Sequence, residues 1–181
     1  MTRPAVFGYG SLVNTRTHDY ADPTPVRLTG WRREWVQTTL REVCFLSVVP
    51  DATAEIDGLV ATVPDASWEA LDAREHAYDR ADVTEALGRA HPVALYRVSP
   101  GYRADHSGPI LLSYLDVVVQ GYLDHFGLAG ARRFFETTGG WDRPIRDDRS
   151  APVYARAQTL TAAERRVVDD GVRLATEMKV P

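Results

Sequence analysis

The sequence has few of the residues that form crosslinks or bind metal ions. Its 181 residues include one cysteine, Cys44, so no disulfide can form within the chain. The five histidines and Cys44 do not have the spacing of a zinc site, and we expect no metal site. Because Val43, Phe45 and Leu46 flank Cys44, we interpret it as a core residue rather than a nucleophile.

Long apolar runs and an excess of positive charge are missing as well. The chain has no apolar stretch of about 18 residues and no charged-then-apolar leader, so we expect no membrane span, no export and a cytoplasmic location. The formal net charge is −4, and the two signs are interspersed. This charge argues against a nucleic-acid surface and favours a small neutral or zwitterionic partner.

Internal repeats, low-complexity tracts and linkers rich in glycine, proline or serine are also absent from the sequence. Hydrophobic residues make up 44% of the chain and charged residues 25%, which is typical of a globular protein with a full core. We therefore predict a single domain over residues 1–181.

The first informative stretch is the apolar run 6–12, which is interrupted by Gly8 and Gly10. An apolar strand that breaks into Gly-x-Gly exposes backbone N–H groups, which can bind carbonyl or anionic oxygens. Many such runs only turn a strand around, and that interpretation stays open. A dinucleotide-binding loop is disfavoured, because Val13 occupies the third glycine position and residues 16–25 lack helical periodicity.

Most of the predicted strands lie in the first half of the chain. Apolar and alternating patterns between turn residues predict strands, after the first run, at 26–39, 42–49, 56–63, 82–86 and 93–98. The strand at 26–39 is bent at Gly30, and a turn at 50–53 separates the next two. Residues 14–25 are predicted to form a loop. Because four strands precede the first helix, the order favours the α+β class over a doubly wound sheet.

Helix periodicity and end signals predict four helices, at 65–80, about 109–127, 129–137 and about 161–178. Asp65 is the predicted N-cap of the first helix. Pro109 and Gly127 mark the two ends of the second. Thr161 and Glu164 form a capping box at the start of the last.

Glu75 lies on the apolar face of the predicted helix at 65–80. At about 100° per residue it falls within the stripe formed by Trp68 and Leu71. Arg74 and His76 fall outside this stripe and are predicted to be solvated. A carboxylate on an apolar face loses hydration, so it must find donors, hold a proton or take part in chemistry.

Periodicity alone leaves two interpretations of Glu75 open. It is either a core glutamate, bonded to Tyr9, Ser11 or an arginine, or a catalytic acid.

Two short motifs match a known pattern in residue type, order and spacing. They are Tyr9-Gly10-Ser11-Leu12 and, later in the chain, Leu71-Asp72-Ala73-Arg74-Glu75, followed by Tyr78. Together they resemble the motifs of the γ-glutamylcyclotransferase-like superfamily. Leu12 is similar to the glutathione-degrading ChaC branch, whereas Asn14 differs from it, so the branch stays open.

The resemblance implies a small mixed β-barrel flanked by helices, with the Tyr-Gly-Ser loop and Glu75 facing one cavity. It also implies an enzyme that needs no cofactor. The free α-amine of a γ-glutamyl group attacks its own γ-carbonyl, which forms 5-oxoproline and releases the attached amine or peptide. Glu75 is then the candidate acid and base for the two proton transfers.

The substrate contacts implied by the resemblance are backbone and phenol groups. They are Tyr9, Gly10, Ser11, Leu12, Tyr78 and Tyr114. Tyr114 is included because its Ser-Tyr-Leu context is similar to a substrate-contacting segment of the ChaC branch. The partner is expected to be a small γ-glutamyl compound: glutathione, a γ-glutamyl dipeptide, a γ-glutamylamine or a modified antibiotic intermediate. The alternative is a non-catalytic small-molecule-binding protein with the same fold and pocket.

The segment 141–154 is rich in arginine and aspartate. Its arginines are candidates for binding a substrate carboxylate. Mixed charges of this kind more often form a solvated surface in which the residues pair with each other, and we favour that interpretation.

Overall fold

The fold combines one large sheet with three helices. The structure, a computed structural model, describes residues 4–64 and 67–177, so the predicted N-cap Asp65 and the predicted helix end at Met178 lie outside the described residues. The strands are β1 (Ala5–Gly8), β2 (Ala21–Thr38), β3 (Arg41–Thr62), β4 (Tyr78–Asp82), β5 (Val93–Val98), β6 (Ile110–Leu111), β7 (Thr138–Gly139) and β8 (Ile145–Arg146). The α-helices are α1 (Glu69–Arg74), α2 (Leu112–Glu136) and α3 (Ala162–Glu177).

A long antiparallel hairpin of β2 and β3 forms the centre of the sheet. The predicted turn at 50–53 is wrong, because β3 continues through it as a wide bulge opposite Gly30, whose φ is +82°. The pairing with β2 holds both halves of β3 in one strand. β2 also begins within the predicted loop at 14–25. Pro23 and Pro25 are tolerated there because β7 covers the other side of β2 only near Arg33.

The six-stranded sheet has the order β4-β5-β1-β3-β2-β7. β1 is antiparallel to β3 and parallel to β5, which places the end of β1 near the middle of the sheet. The α+β class is confirmed. Within the described ranges no pairing joins the edge strands β4 and β7, so the sheet is open and closure into a barrel is not confirmed. β6 and β8 form a separate two-stranded sheet.

Helix α1 is shorter than predicted, because it ends at Arg74 rather than near residue 80. From Tyr78 onward the chain pairs with β5, with Tyr78 opposite Val98. This pairing satisfies the backbone groups that a longer helix would use, so tertiary contacts override the helical pattern. The strand predicted at 82–86 is accordingly found earlier, as β4.

Helix α2 joins the two helices predicted at 109–127 and 129–137. Gly127, with a φ of +64° and a ψ of −170°, is not helical and separates the two segments, so the predicted end of the first helix at Gly127 is confirmed. The helix starts at Leu112 because the two preceding residues pair with β8. In the described part of the chain, no helix is long and apolar enough to cross a membrane.

The capping box of α3 is confirmed. The Glu164 N–H donates to Thr161 Oγ1 at 3.2 Å, and the Thr161 N–H donates to Glu164 Oε2 at 2.6 Å. Cys44 is confirmed as a core residue, since it is 6% exposed and its thiol donates to the Gly108 carbonyl at 3.0 Å.

Two charged residues of the segment 141–154 bind α2 instead of pairing within the segment, which corrects that part of the interpretation, whereas Asp142, Arg146 and Asp147 are exposed as expected. Asp148 is 4% exposed and accepts hydrogen bonds from the Ser113 N–H and hydroxyl and from the Val153 N–H. Arg149 forms a bidentate ion pair with Asp116 of α2. These partners lie far away in sequence, so composition alone does not reveal them.

Candidate active site

The loop after β1 lies against Tyr114 of α2. A 3₁₀ turn over Ser11–Val13 follows Gly10, and the loop backbone lines a cavity there. A Cβ added to Gly10 would lie 2.7 Å from the Tyr114 hydroxyl oxygen. Glycine is therefore needed for the close approach of the loop backbone to this phenol.

The site consists of an inner cavity and an adjoining outer cleft. The inner cavity measures about 30 Å³, and the cleft about 220 Å³. The inner cavity is lined by all seven of the residues that the sequence singles out, namely Tyr9, Gly10, Ser11, Leu12, Glu75, Tyr78 and Tyr114. Because ligand pockets typically measure about 300–1,000 Å³, a ligand must extend from this small cavity into the cleft.

Glu75 lies at the boundary between the two spaces, since it lines both. It follows the last residue of α1 instead of lying on a helix face, and its N–H donates to the Leu71 carbonyl. The side chain is 17% exposed. Burial raises the pKa of Glu75 above its ordinary value, and the charges of Arg74 and Arg156 limit that rise. Such a carboxyl is suited to taking and returning a proton.

Arg74 connects the two sequence motifs. Its Nε atom lies 3.2 Å from Glu75 Oε1, and its Nη2 atom lies 3.5 Å from Ser11 Oγ. The side chain is only 11% exposed, so the prediction of a solvated arginine is wrong. His76, in contrast, is exposed as predicted.

The tyrosines of the inner cavity are neutral at physiological pH. Burial raises the pKa of each of them above the ordinary tyrosine value: Tyr9, Tyr78, Tyr96 and Tyr114. Apart from these tyrosines and Glu75, the described residues that line this cavity carry no titratable side chain. Glu75 is therefore the one group in the described lining that can exchange a proton near neutral pH.

Two of these phenols are held by backbone carbonyls. The Tyr9 hydroxyl donates to the Tyr96 carbonyl at 2.5 Å, and the Tyr78 hydroxyl donates to the Leu46 carbonyl at 3.1 Å. The Tyr9 side chain is part of the hydrophobic core, and the residue also lines the cavity. Sequence reasoning missed Leu46 and Tyr96, because they reach the cavity through strand pairing and not through a local motif.

A buried network fixes the backbone of the loop at Tyr9. The Tyr122 hydroxyl lies 2.9 Å from the Tyr9 carbonyl oxygen and 2.7 Å from that of Asp57. Arg33, which is 1% exposed, donates to the Tyr122 hydroxyl and to the Asp57 carbonyl. In the sequence, Tyr122 is one of the apolar residues at helical spacing in 109–127, and that spacing does not predict this contact.

No protein-family model matches the chain, and no curated protein matches it in sequence. Solved structures do match it. A γ-glutamyl cyclotransferase is 14% identical with a TM-score of 0.58, over 92% of this chain and 98% of that one. An uncharacterized protein from Homo sapiens is 14% identical with a TM-score of 0.58, over 91% and 97%.

YkqA from Bacillus subtilis is 18% identical with a TM-score of 0.58, over 77% of this chain and 57% of that one. These matches show that the chain shares the fold of a γ-glutamyl cyclotransferase structure, which agrees with the resemblance found in the sequence. Identities this low do not show which reaction, if any, this chain catalyses.

Proposed function

We propose that this chain is a γ-glutamyl cyclotransferase. In the proposed reaction the α-amine of a γ-glutamyl group attacks its own γ-carbonyl, forming 5-oxoproline and releasing the attached amine or peptide. The observation that carries the proposal is the position of Glu75, a carboxyl with a raised pKa facing the loop after β1. The fold shared with a γ-glutamyl cyclotransferase supports it.

Glu75 has two proton transfers to perform in this reaction. The α-amine arrives largely protonated at neutral pH, so a base must remove a proton before the nitrogen can attack. When the new ring bond forms and the old amide bond breaks, the leaving nitrogen must receive a proton. One carboxyl can do both if its pKa lies above the ordinary value, which is the direction that burial gives Glu75.

The loop of Tyr9, Gly10, Ser11 and Leu12 has the proposed role of a substrate cradle. Its backbone N–H groups are candidates for stabilising the oxyanion or binding the α-carboxylate. The neutral hydroxyls of Tyr78 and Tyr114 are proposed as further polar contacts with the substrate.

The test is to incubate the purified protein with glutathione, γ-glutamyl dipeptides and γ-glutamylamines and to measure 5-oxoproline by mass spectrometry. We expect stoichiometric 5-oxoproline and free amine or peptide from at least one compound. Tight binding of these compounds without 5-oxoproline would instead support the non-catalytic binding protein.

The proposed activity is expected to survive exhaustive treatment with a metal chelator. Ring closure transfers no electrons, and the two proton transfers are assigned to Glu75, so no step requires a metal ion. The measurement compares initial rates before and after chelation and dialysis. A loss of activity that added metal restores would contradict the proposed mechanism.

Replacing Arg74 with glutamine is expected to move the acid limb of the kcat/KM profile to higher pH. The Arg74 charge lowers the pKa of Glu75, so without it the carboxylate forms only at higher pH. Arg80→Gln is the matched control, because Arg80 pairs with Asp72 at the surface. An acid limb that stays in place in Arg74→Gln would remove this role from Arg74.

A further inference from the structure

The outer cleft is positively charged on a chain that is negative overall. Its lining includes Arg41, Arg74 and Arg156 but only one carboxylate, Glu75. The whole chain has a net charge of −4. Three arginines and one glutamate give this concave site an excess of positive charge, which attracts an anionic group from solution.

Two of these arginines are free to bind a ligand. Arg74 is occupied by Glu75 and Ser11. Within residues 4–64 and 67–177, neither Arg41 nor Arg156 has an acidic side chain at ion-pair distance, and both are exposed. Elsewhere on the surface, arginines such as Arg27 do pair with acidic residues. Each free guanidinium keeps donors that match the two oxygens of a carboxylate.

The position of Glu75 decides which part of a substrate meets these arginines. The leaving nitrogen must come within hydrogen-bond reach of Glu75, because Glu75 gives it a proton in the proposed reaction. The γ-glutamyl group is proposed to lie against the loop after β1, which lines the inner cavity, and Glu75 lies between that cavity and the cleft. The leaving group therefore extends into the cleft that Arg41 and Arg156 line.

We propose that Arg156 and Arg41 bind a carboxylate on the leaving group. The preferred substrates are then γ-glutamyl amino acids or peptides, rather than γ-glutamylamines that lack this carboxylate. The inference rests on the proposed cyclotransferase function, and it adds a specificity determinant that the two sequence motifs do not contain.

The experiment compares γ-glutamylglycine with γ-glutamylmethylamide, which share the γ-glutamyl group and differ by the leaving-group carboxylate. The parent protein is expected to prefer γ-glutamylglycine by at least about tenfold in kcat/KM, as expected for a hydrogen-bonded charge. Arg156→Gln and Arg41→Gln should each lower this ratio, and the double variant should remove most of it. Added salt should lower the ratio as well.

Arg165→Gln is the matched control. Arg165 is exposed on α3 and lines neither the inner cavity nor the cleft, so the same change in charge should leave the ratio unaltered. Because the γ-glutamyl α-carboxylate is present in both compounds, an arginine that binds that group alone changes both rates and not their ratio.

The outcomes separate the two proposals. Equal use of both compounds by the parent, or a ratio unaffected by Arg156→Gln and Arg41→Gln, would overturn the inference while 5-oxoproline still supports the cyclotransferase. If neither compound yields 5-oxoproline, the cyclotransferase proposal fails for this class of substrate. Calorimetric binding then tests the arginines directly: tighter binding of γ-glutamylglycine that depends on Arg156 supports a carboxylate site, and equal binding overturns it.

Discussion

Glu75→Gln is expected to abolish 5-oxoproline formation, with a loss of at least about 10²-fold in kcat/KM. Glutamine has nearly the same shape and can still contact the cavity, but its amide cannot take a proton from the substrate amine. In the described lining of the inner cavity, no other side chain titrates near neutral pH to replace it. The assay is the release of 5-oxoproline measured by mass spectrometry at several pH values.

The same variant is expected to change stability only slightly near pH 7. Burial raises the pKa of Glu75 in the folded state, so the protonated form is favoured there. Ionisation of Glu75 therefore lowers the stability of the folded state. This cost is absent below the unfolded pKa of about 4.3, grows as the pH rises toward the folded pKa, and stays constant above it. Glutamine removes this cost, but it also removes the ion pair with Arg74.

The two effects have opposite signs, and the side-chain oxygen of glutamine can still accept a hydrogen bond from Arg74. We therefore expect the melting temperature at pH 7 to stay within about 4 °C of the parent. Glu69→Gln is the matched control, because Glu69 is an exposed acid in the preceding helix α1, and it should stay active. An active Glu75→Gln would remove Glu75 from the mechanism. An inactive variant that melts far lower would identify Glu75 as structural.

The sequence predicts the members of the candidate site better than the local structure around them. The loop after β1 is recognisable because glycines interrupt an apolar run, and Glu75 because a carboxylate interrupts an apolar stripe. These are strong local signals. The stripe, however, predicts a helix that continues past Glu75, whereas α1 ends at Arg74. The orientation of Glu75 depends on the chain turning into β4.

The features that the sequence does not predict are those set by contacts distant along the chain. β3 remains one strand because β2 pairs with both of its halves, although residues 50–53 have the composition of a turn. Tyr122 contacts the Tyr9 carbonyl, and Arg33 contacts Tyr122, because α2 packs on the sheet. Asp148 is buried because Ser113 of α2 donates to it. No local pattern carries these pairings.

Gly121→Ala is expected to reduce both stability and activity, although Gly121 lines neither the inner cavity nor the cleft. A Cβ at this position of α2 would lie 2.6 Å from the Asn14 backbone nitrogen and 2.7 Å from the Val13 carbonyl carbon. Backbone atoms cannot move aside by changing rotamer. The helix and the turn after β1 must therefore separate, which we expect to lower stability by about 1–3 kcal/mol.

The separation should reach the candidate site because the turn is hydrogen-bonded to the helix next to this contact. Asn14 is fully buried, and its side-chain amide donates to the Val117 carbonyl at 2.9 Å and to the Gln120 side-chain oxygen at 3.0 Å. A shift of the turn therefore carries the preceding loop with it, away from Glu75. A misplacement of about 1 Å in a catalytic site can lower kcat/KM by about 10²-fold.

Gly101→Ala is the matched control, because a Cβ at Gly101 meets no atom within 4 Å. It should keep the activity and the melting temperature of the parent. Rates of all three proteins are measured well below the lowest melting temperature, so that loss of folded protein does not count as loss of activity. A Gly121→Ala protein that melts lower but turns over substrate at the parental rate would show that this contact supports stability alone. The loop would then keep its position through other hydrogen bonds, mainly the one from the Tyr122 hydroxyl to the Tyr9 carbonyl.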